Sequence, residues 1–315
     1  MSLRPQDLPE TRSEVVAYHL TKGPALFDAC IRAGVMPIRP PGDIHTSAQE
    51  LARLEAERVR NGELFWVSAD MTELIAAASK TMPSFTLAPA DMPSPWGFMA
   101  FDKPIHTITS PYTGDDVPIV AASWGPCPFT DYESGGVWAS WYSDTGHVID
   151  GPHNSELPDG VKAMMKGSLP RFTYDHESVA PFSDTHLRSV TAAGEEASGK
   201  GGLGLDVLKA VWLLMAQPLA EVSEVEPDRA VRKRMRRANQ EPKSVRVIEL
   251  RRPQRSGPAV PGSREYHHAW VVRGHWRQQW FPKREVHRPV WIAPHIKGPE
   301  GAPLIGGEKV YALKR

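Results

Sequence analysis

His275 stands between Arg273 and Arg277 in the run VVRGHWRQQW. Along an extended chain, alternate side chains share a face, so these three would form a row with neighbours roughly 7 Å apart. Two guanidinium groups side by side repel unless an anion lies between them, and their planar forks suit bidentate contact with phosphate. Two flanking cations also oppose a third positive charge on the ring, leaving an imidazole able to accept a proton. Cleavage of RNA by internal transphosphorylation needs groups of this kind. A base takes the 2′-hydroxyl proton, an acid protonates the leaving oxygen, and cations stabilise the phosphorane. The expected roles are His275 as base, His268 or His287 as acid, and Arg273 and Arg277 on the phosphate.

The surrounding stretch, YHHAWVVRGHWRQQWFPKREVHRPVWIAPHIKGP, gathers five histidines and four tryptophans. Strand parity over 268–281 places His268, Trp270, Val272, Gly274, Trp276 and Trp280 on one side, which is mostly apolar and expected to pack inward. Val271, Arg273, His275, Arg277 and Gln279 take the other. In the next run, Arg288, Val290 and Ile292 oppose His287, Trp291 and His295. A hairpin through FPKREV would carry His287 and Arg288 back towards Trp280 and Arg277, with Lys283 and Arg284 at its turn. The histidine spacings match no zinc-ligand pattern and no cysteine lies nearby, so neither a metal nor another cofactor is expected.

A second basic element precedes it. RAVRKRMRRANQ reads as a short helix, opened by Pro227 and Asp228 and stopped near Asn239. Spacings of three and four put Arg229, Lys233 and Arg236 or Arg237 on one face, suited to a phosphate backbone. The formal net charge of zero conceals a segregation. From Arg229 onward there are 21 Lys and Arg against 6 Asp and Glu, a net +15, and the first 228 residues carry the compensating −15. Such asymmetry points to a polyanionic partner. Nucleic acid is expected, RNA before DNA, contacted by Arg273, Arg277, Arg284, Arg288, Arg229, Lys233, Arg236 and Arg237. The alternative is a non-enzymatic phage or regulatory component whose basic tail docks on an acidic protein.

The basic helix, the VRVIEL run, VRGHWR, HRPVWIAPHIKGP and the closing EKVYAL together resemble the C-terminal region of a family of actinobacterial, phage-borne and plasmid-borne proteins. The resemblance covers about residues 229–315. It implies a mobile-element setting and carries over no catalytic assignment. GEEASGKG, at 194–201, fits GxxxxGK but has Gly where a phosphate loop needs Ser or Thr, and its two glutamates would repel phosphate. It reads as an exposed loop.

These residues need a scaffold, and the rest of the chain supplies an α+β one. Residues 1–90 read as mainly helical, over 13–34, 46–62 (capped by Thr46 or Ser47) and 70–82 (capped by Asp70). Residues 91–226 carry short apolar runs bounded by Pro, Gly and Asp, the mark of an antiparallel meander, then an apolar core helix, LGLDVLKAVWLLMAQP. Residues 227–315 add the basic helix, a strand at KSVRVIELRR, the strands of the aromatic stretch and a last strand at KVYALKR. No apolar run reaches the roughly 20 residues of a membrane span, no secretory leader is expected, and two cysteines suit a reducing cytoplasm.

Overall fold

The computed structural model describes residues 3–36, 39–110, 113–127, 135–182, 203–251 and 270–297. The chain forms two compact units, Met1–Leu250 and Arg251–Arg315.

In the first unit, α1 (Leu8–Thr21) and α2 (Gly23–Arg32) divide at Lys22, and α3 (Ile44–Asn61) follows. The cap of α3 lies earlier than Thr46 or Ser47. Asp43 accepts the Thr46 N–H at 2.9 Å and the Thr46 hydroxyl at 2.8 Å, while the buried Ser47 hydroxyl donates to the Pro40 carbonyl. Next comes β1 (Glu63–Val67), a strand inside the stretch expected to be helical. Both of its faces are covered, so ELFWV shows no polar alternation to announce it. Then α4 (Ala69–Ser79) starts after Ser68, leaving Asp70 within its first turn rather than at its cap.

The meander is present as β2 (Gly97–Phe101), β3 (His106–Thr109), β4 (Asp116–Pro126) and β5 (Gly136–Asp144). Two short helices, α5 (Thr145–Asp150) and α6 (Asp159–Ser168), lead to β6 (Phe172–Pro181). The apolar helix α7 (Leu203–Met215) precedes β7 (Ala220–Val225), the basic helix α8 (Arg229–Arg237) and β8 (Val245–Leu250). The sheet runs β6-β5-β4-β2-β1-β8-β7, with β3 beside β4. It is mixed rather than wholly antiparallel, because β1 lies parallel to both β2 and β8. Strands from 1–90, 91–226 and 227–250 thus interleave in one sheet.

Side-chain parity assigns the two faces of this sheet. Leu64, Trp66, Phe98, Ala100, Ala121, Tyr142, Val245 and Val247 pack on Leu8, Val15, Val16, Ala56 and Val59 of α1 and α3. On the other face Trp124 meets Phe65 and Trp212 at ring separations of 5.4 and 5.5 Å, beneath the buried α7. Gly97 permits this, since a Cβ there would overlap the Trp124 indole.

Under α3 the core is polar. Glu55 and Arg58, three residues apart, both turn towards the sheet and pair directly. Arg58 Nη2 also donates to Ser140 at 2.5 Å, its guanidinium lies 3.7 Å over the Trp138 ring, and Tyr142 donates to Glu55. Ser140 donates to Glu55 at 2.8 Å, and Trp138 Nε1 to Glu177 at 3.0 Å. Burial pushes the Glu177 carboxyl up to about 7 despite the opposing Arg58 charge, and lowers Arg58 to about 10. His19, stacked on Phe27, is wholly buried with neither ring nitrogen hydrogen-bonded, and burial drives it down to about 3.

The second unit contains β9 (Trp270–Val272), β10 (His275–Phe281), β11 (Val286–Ile292) and β12 (His295–Lys297). β10 and β11 form an antiparallel ribbon, and β9 pairs separately with β12. The single strand expected over 268–281 is therefore broken at Arg273–Gly274, and its two pieces pair with different partners. A Cβ on Gly274 would overlap the buried Trp291 indole and lie 3.0 Å from Pro294 Cδ, so the chain crosses that ring only as glycine. His268, the GxxxxGK loop and the closing KVYALKR lie outside the described residues. Among the described residues no helix is long and apolar enough to cross a membrane, and no three His, Cys, Asp or Glu side chains are grouped to hold a metal.

Candidate nucleic-acid interface

The basic helix α8 is held by its ends and its buried face. Asp228 occupies the N-cap and bonds Arg4 at 2.9 Å, placing a carboxylate by the helix's positive pole. At the other end Asn239 adopts φ 57°. Asn239 N–H bonds the Arg236 carbonyl at 3.1 Å, and Gln240 N–H bonds that of Met235 at 2.9 Å, a Schellman closure. Val231 and Met235 are buried, and Arg234 grips Glu10 of α1 through two bonds of 2.6 and 2.5 Å.

This docking orients everything else on the helix. Arg229, Arg232, Lys233, Arg236 and Arg237 recur at spacings of three and one, so they share the face opposite Val231 and Met235. All five line a surface depression of about 560 Å³. The neighbouring acids Glu10 and Asp228 are engaged by Arg234 and Arg4, and none of the five cations is held in an ion pair among the described residues. Spacing in the sequence picks out four of them, Arg229, Lys233, Arg236 and Arg237. Arg232 completes the set, and its i,i+3 relation to Arg229 was the signal for it.

In the second unit the ribbon register gives the geometry. Pairs run His275–Ile292, Trp276–Trp291, Arg277–Val290, Gln278–Pro289, Gln279–Arg288, Trp280–His287 and Phe281–Val286. Directly opposed residues share a face, so His275, Arg277, Gln279 and Arg288 lie on one side. Arg288 is diagonal to Arg277 there, and Arg277 donates to Gln279 Oε1 at 2.8 Å. Arg273 sits at the strand break, where its carbonyl accepts a bond of 3.1 Å from His275 Nδ1. A carbonyl only accepts, so Nδ1 carries the hydrogen, and in a neutral ring the lone pair would lie on Nε2. His275 is exposed.

The other side of the ribbon is aromatic. Trp276 and Trp291 meet edge to face with centroids 5.2 Å apart, and Trp280 lies 4.9 Å from the His287 ring. His287 therefore occupies the face away from His275, and the two imidazoles do not converge. Nor are all the tryptophans interior. Trp291 is 7% exposed and Trp276 half-buried, but Trp280 keeps 45% of its surface in solvent. The interior supplied by the ribbon ends before its outer rung. Lys283 and Arg284 stand exposed in the turn that follows, where Glu285 closes the loop at φ 51°.

No family model matches the chain, and no curated protein matches it significantly.

Proposed function

We propose that the protein binds nucleic acid, RNA in preference to DNA, through the outward face of α8 and through the basic ribbon of the second unit, each contributing its own phosphate contacts. The observation that carries this is the five-cation face of α8, none of whose cations is held in an ion pair among the described residues. Such a face gains free energy by releasing the counterions of a polyphosphate, whatever its sequence. The preference for RNA draws on exposed aromatic and guanidinium planes in the second unit, which suit unpaired bases.

Fluorescence anisotropy of labelled RNA and DNA strands, titrated across ionic strength, tests the reading. Affinity is expected to fall log-linearly with salt and to favour RNA. Replacing Arg229, Lys233 and Arg236 together by Glu should lower it more than about tenfold, with the circular dichroism unchanged. Absence of binding at low salt, with salt-insensitive association to an acidic protein instead, overturns it.

A second reading, metal-independent RNA cleavage, is favoured by the His275 tautomer. With Nδ1 held by the Arg273 carbonyl, Nε2 is the atom that would take the 2′-hydroxyl proton as the 2′-oxygen bonds phosphorus. The phosphorus–5′-oxygen bond then breaks, and that oxygen takes its proton from an acid or from water. RNA cut in EDTA by the wild type but not by a folded His275→Ala variant supports this reading. Uncut RNA, or equal cutting by the variant, ends it.

A further inference from the structure

The second unit bears an exposed feature that phosphate binding does not use. We propose that Trp280, beside His287, is a stacking platform for unpaired bases, so that the ligand of the second unit is single-stranded. The inference rests on the nucleic-acid reading and names the form of the ligand.

Three observations point the same way. The Trp280 ring meets the His287 ring at 4.9 Å with a tilt of 49°, yet 45% of the residue's surface remains in solvent. That contact limits the side-chain entropy lost when a flat ligand settles on the ring. Secondly, the pair occupies the second rung from the hairpin end, and the turn beyond it carries Lys283 and Arg284, both exposed. A base on Trp280 would place its phosphates within the field of those cations. Thirdly, residues 270–297 hold six Lys and Arg and one acid, Glu285, so the occupant is expected to be anionic as well as aromatic. Bases inside a duplex are already stacked on both faces and offer nothing to an indole on a ribbon surface. Unpaired bases do, and every base has a π-face, so the platform would tolerate many sequences.

The test compares a labelled oligouridylate with a blunt RNA duplex of equal length, using the full chain. Stacking is worth roughly 1–3 kcal/mol per base, so Trp280→Ala should weaken the single strand by about tenfold and leave the duplex within about twofold. Trp280→Phe, which keeps a ring, should recover most of the loss. A strand carrying 5-bromouracil should photocrosslink to the peptide that contains Trp280. Equal loss for single strand and duplex, or no loss for either, with no crosslink at Trp280, overturns the platform and leaves nucleic-acid binding standing. If the wild type binds neither probe, the parent reading falls and this one with it.

Discussion

Arg58 and Glu55 form an ion pair sealed from solvent, with 2% of one side chain and none of the other exposed. Three residues apart on α3, they turn towards the sheet instead of the water, and Ser123, Ser140, Tyr142 and Trp138 supply the remaining contacts. Charge burial on this scale is tolerable only while every partner stays in place. Arg58→Leu is therefore expected to cost about 3–5 kcal/mol, since it strands the Glu55 carboxylate in the core. Replacing Glu55 by Gln and Arg58 by Leu together should cost less than Arg58→Leu alone. Urea denaturation of wild type, singles and double gives the cycle that checks it.

Glu177 and His19 make stability depend on pH in opposite directions. The folded-state carboxyl titrates near 7 against an ordinary 4.5, so the folded protein holds the extra proton between those values. Stability from Glu177 is full below about 4.5 and lost as pH rises to about 7. His19 is the reverse: with a folded value near 3 against 6.5, its contribution is full above 6.5 and lost as pH falls. Glu177→Gln should thus gain on the wild type as pH rises from 4.5 to 7, by about 3 kcal/mol at most. Melting temperatures at matched pH values provide the measurement, and a constant offset would contradict the assignment.

Salt dependence would separate the α8 cations proposed to meet phosphate from Arg234, which pairs with Glu10. Each phosphate contact contributes about 0.7–0.9 to the slope of log affinity against log salt. Alanine at Arg232, Lys233 and Arg236 should flatten that slope by roughly 2 units. Neutralising Arg234 and Glu10 together by Gln removes a pair already satisfied, and should leave the slope unchanged.

Gly274 is the backbone hinge on which the second unit turns from β9 to β10. Gly274→Ala introduces a methyl group where the Trp291 ring already lies, at a cost of about 1–3 kcal/mol. Loosening should stay in residues 251–315. Limited proteolysis is expected to cut there first, with Met1–Leu250 resisting as in the wild type.

Much of the local structure was legible from residue order. Pro227, Asp228 and Asn239 bracket α8, because caps act through hydrogen bonds a few residues away. The apolar run of α7 and the alternation of β8 declare themselves for the same reason, and the period of two brings His287 beside Trp280 once the hairpin turns at Lys283 and Arg284. Other features depended on partners far along the chain. ELFWV looks like any short apolar run until β2 and β8 flank it in parallel, nearly two hundred residues apart in the case of Val245. Nothing in the spacing of Glu55 and Arg58 marks them as buried, and only the serines and Tyr142 of β4 and β5 make their burial tolerable. Spacing likewise placed the tryptophans on one side of a strand without saying where the interior stops. That boundary falls between Trp291 and Trp280, since a ring is buried only where other chain segments cover it, and coverage is a property of the tertiary structure.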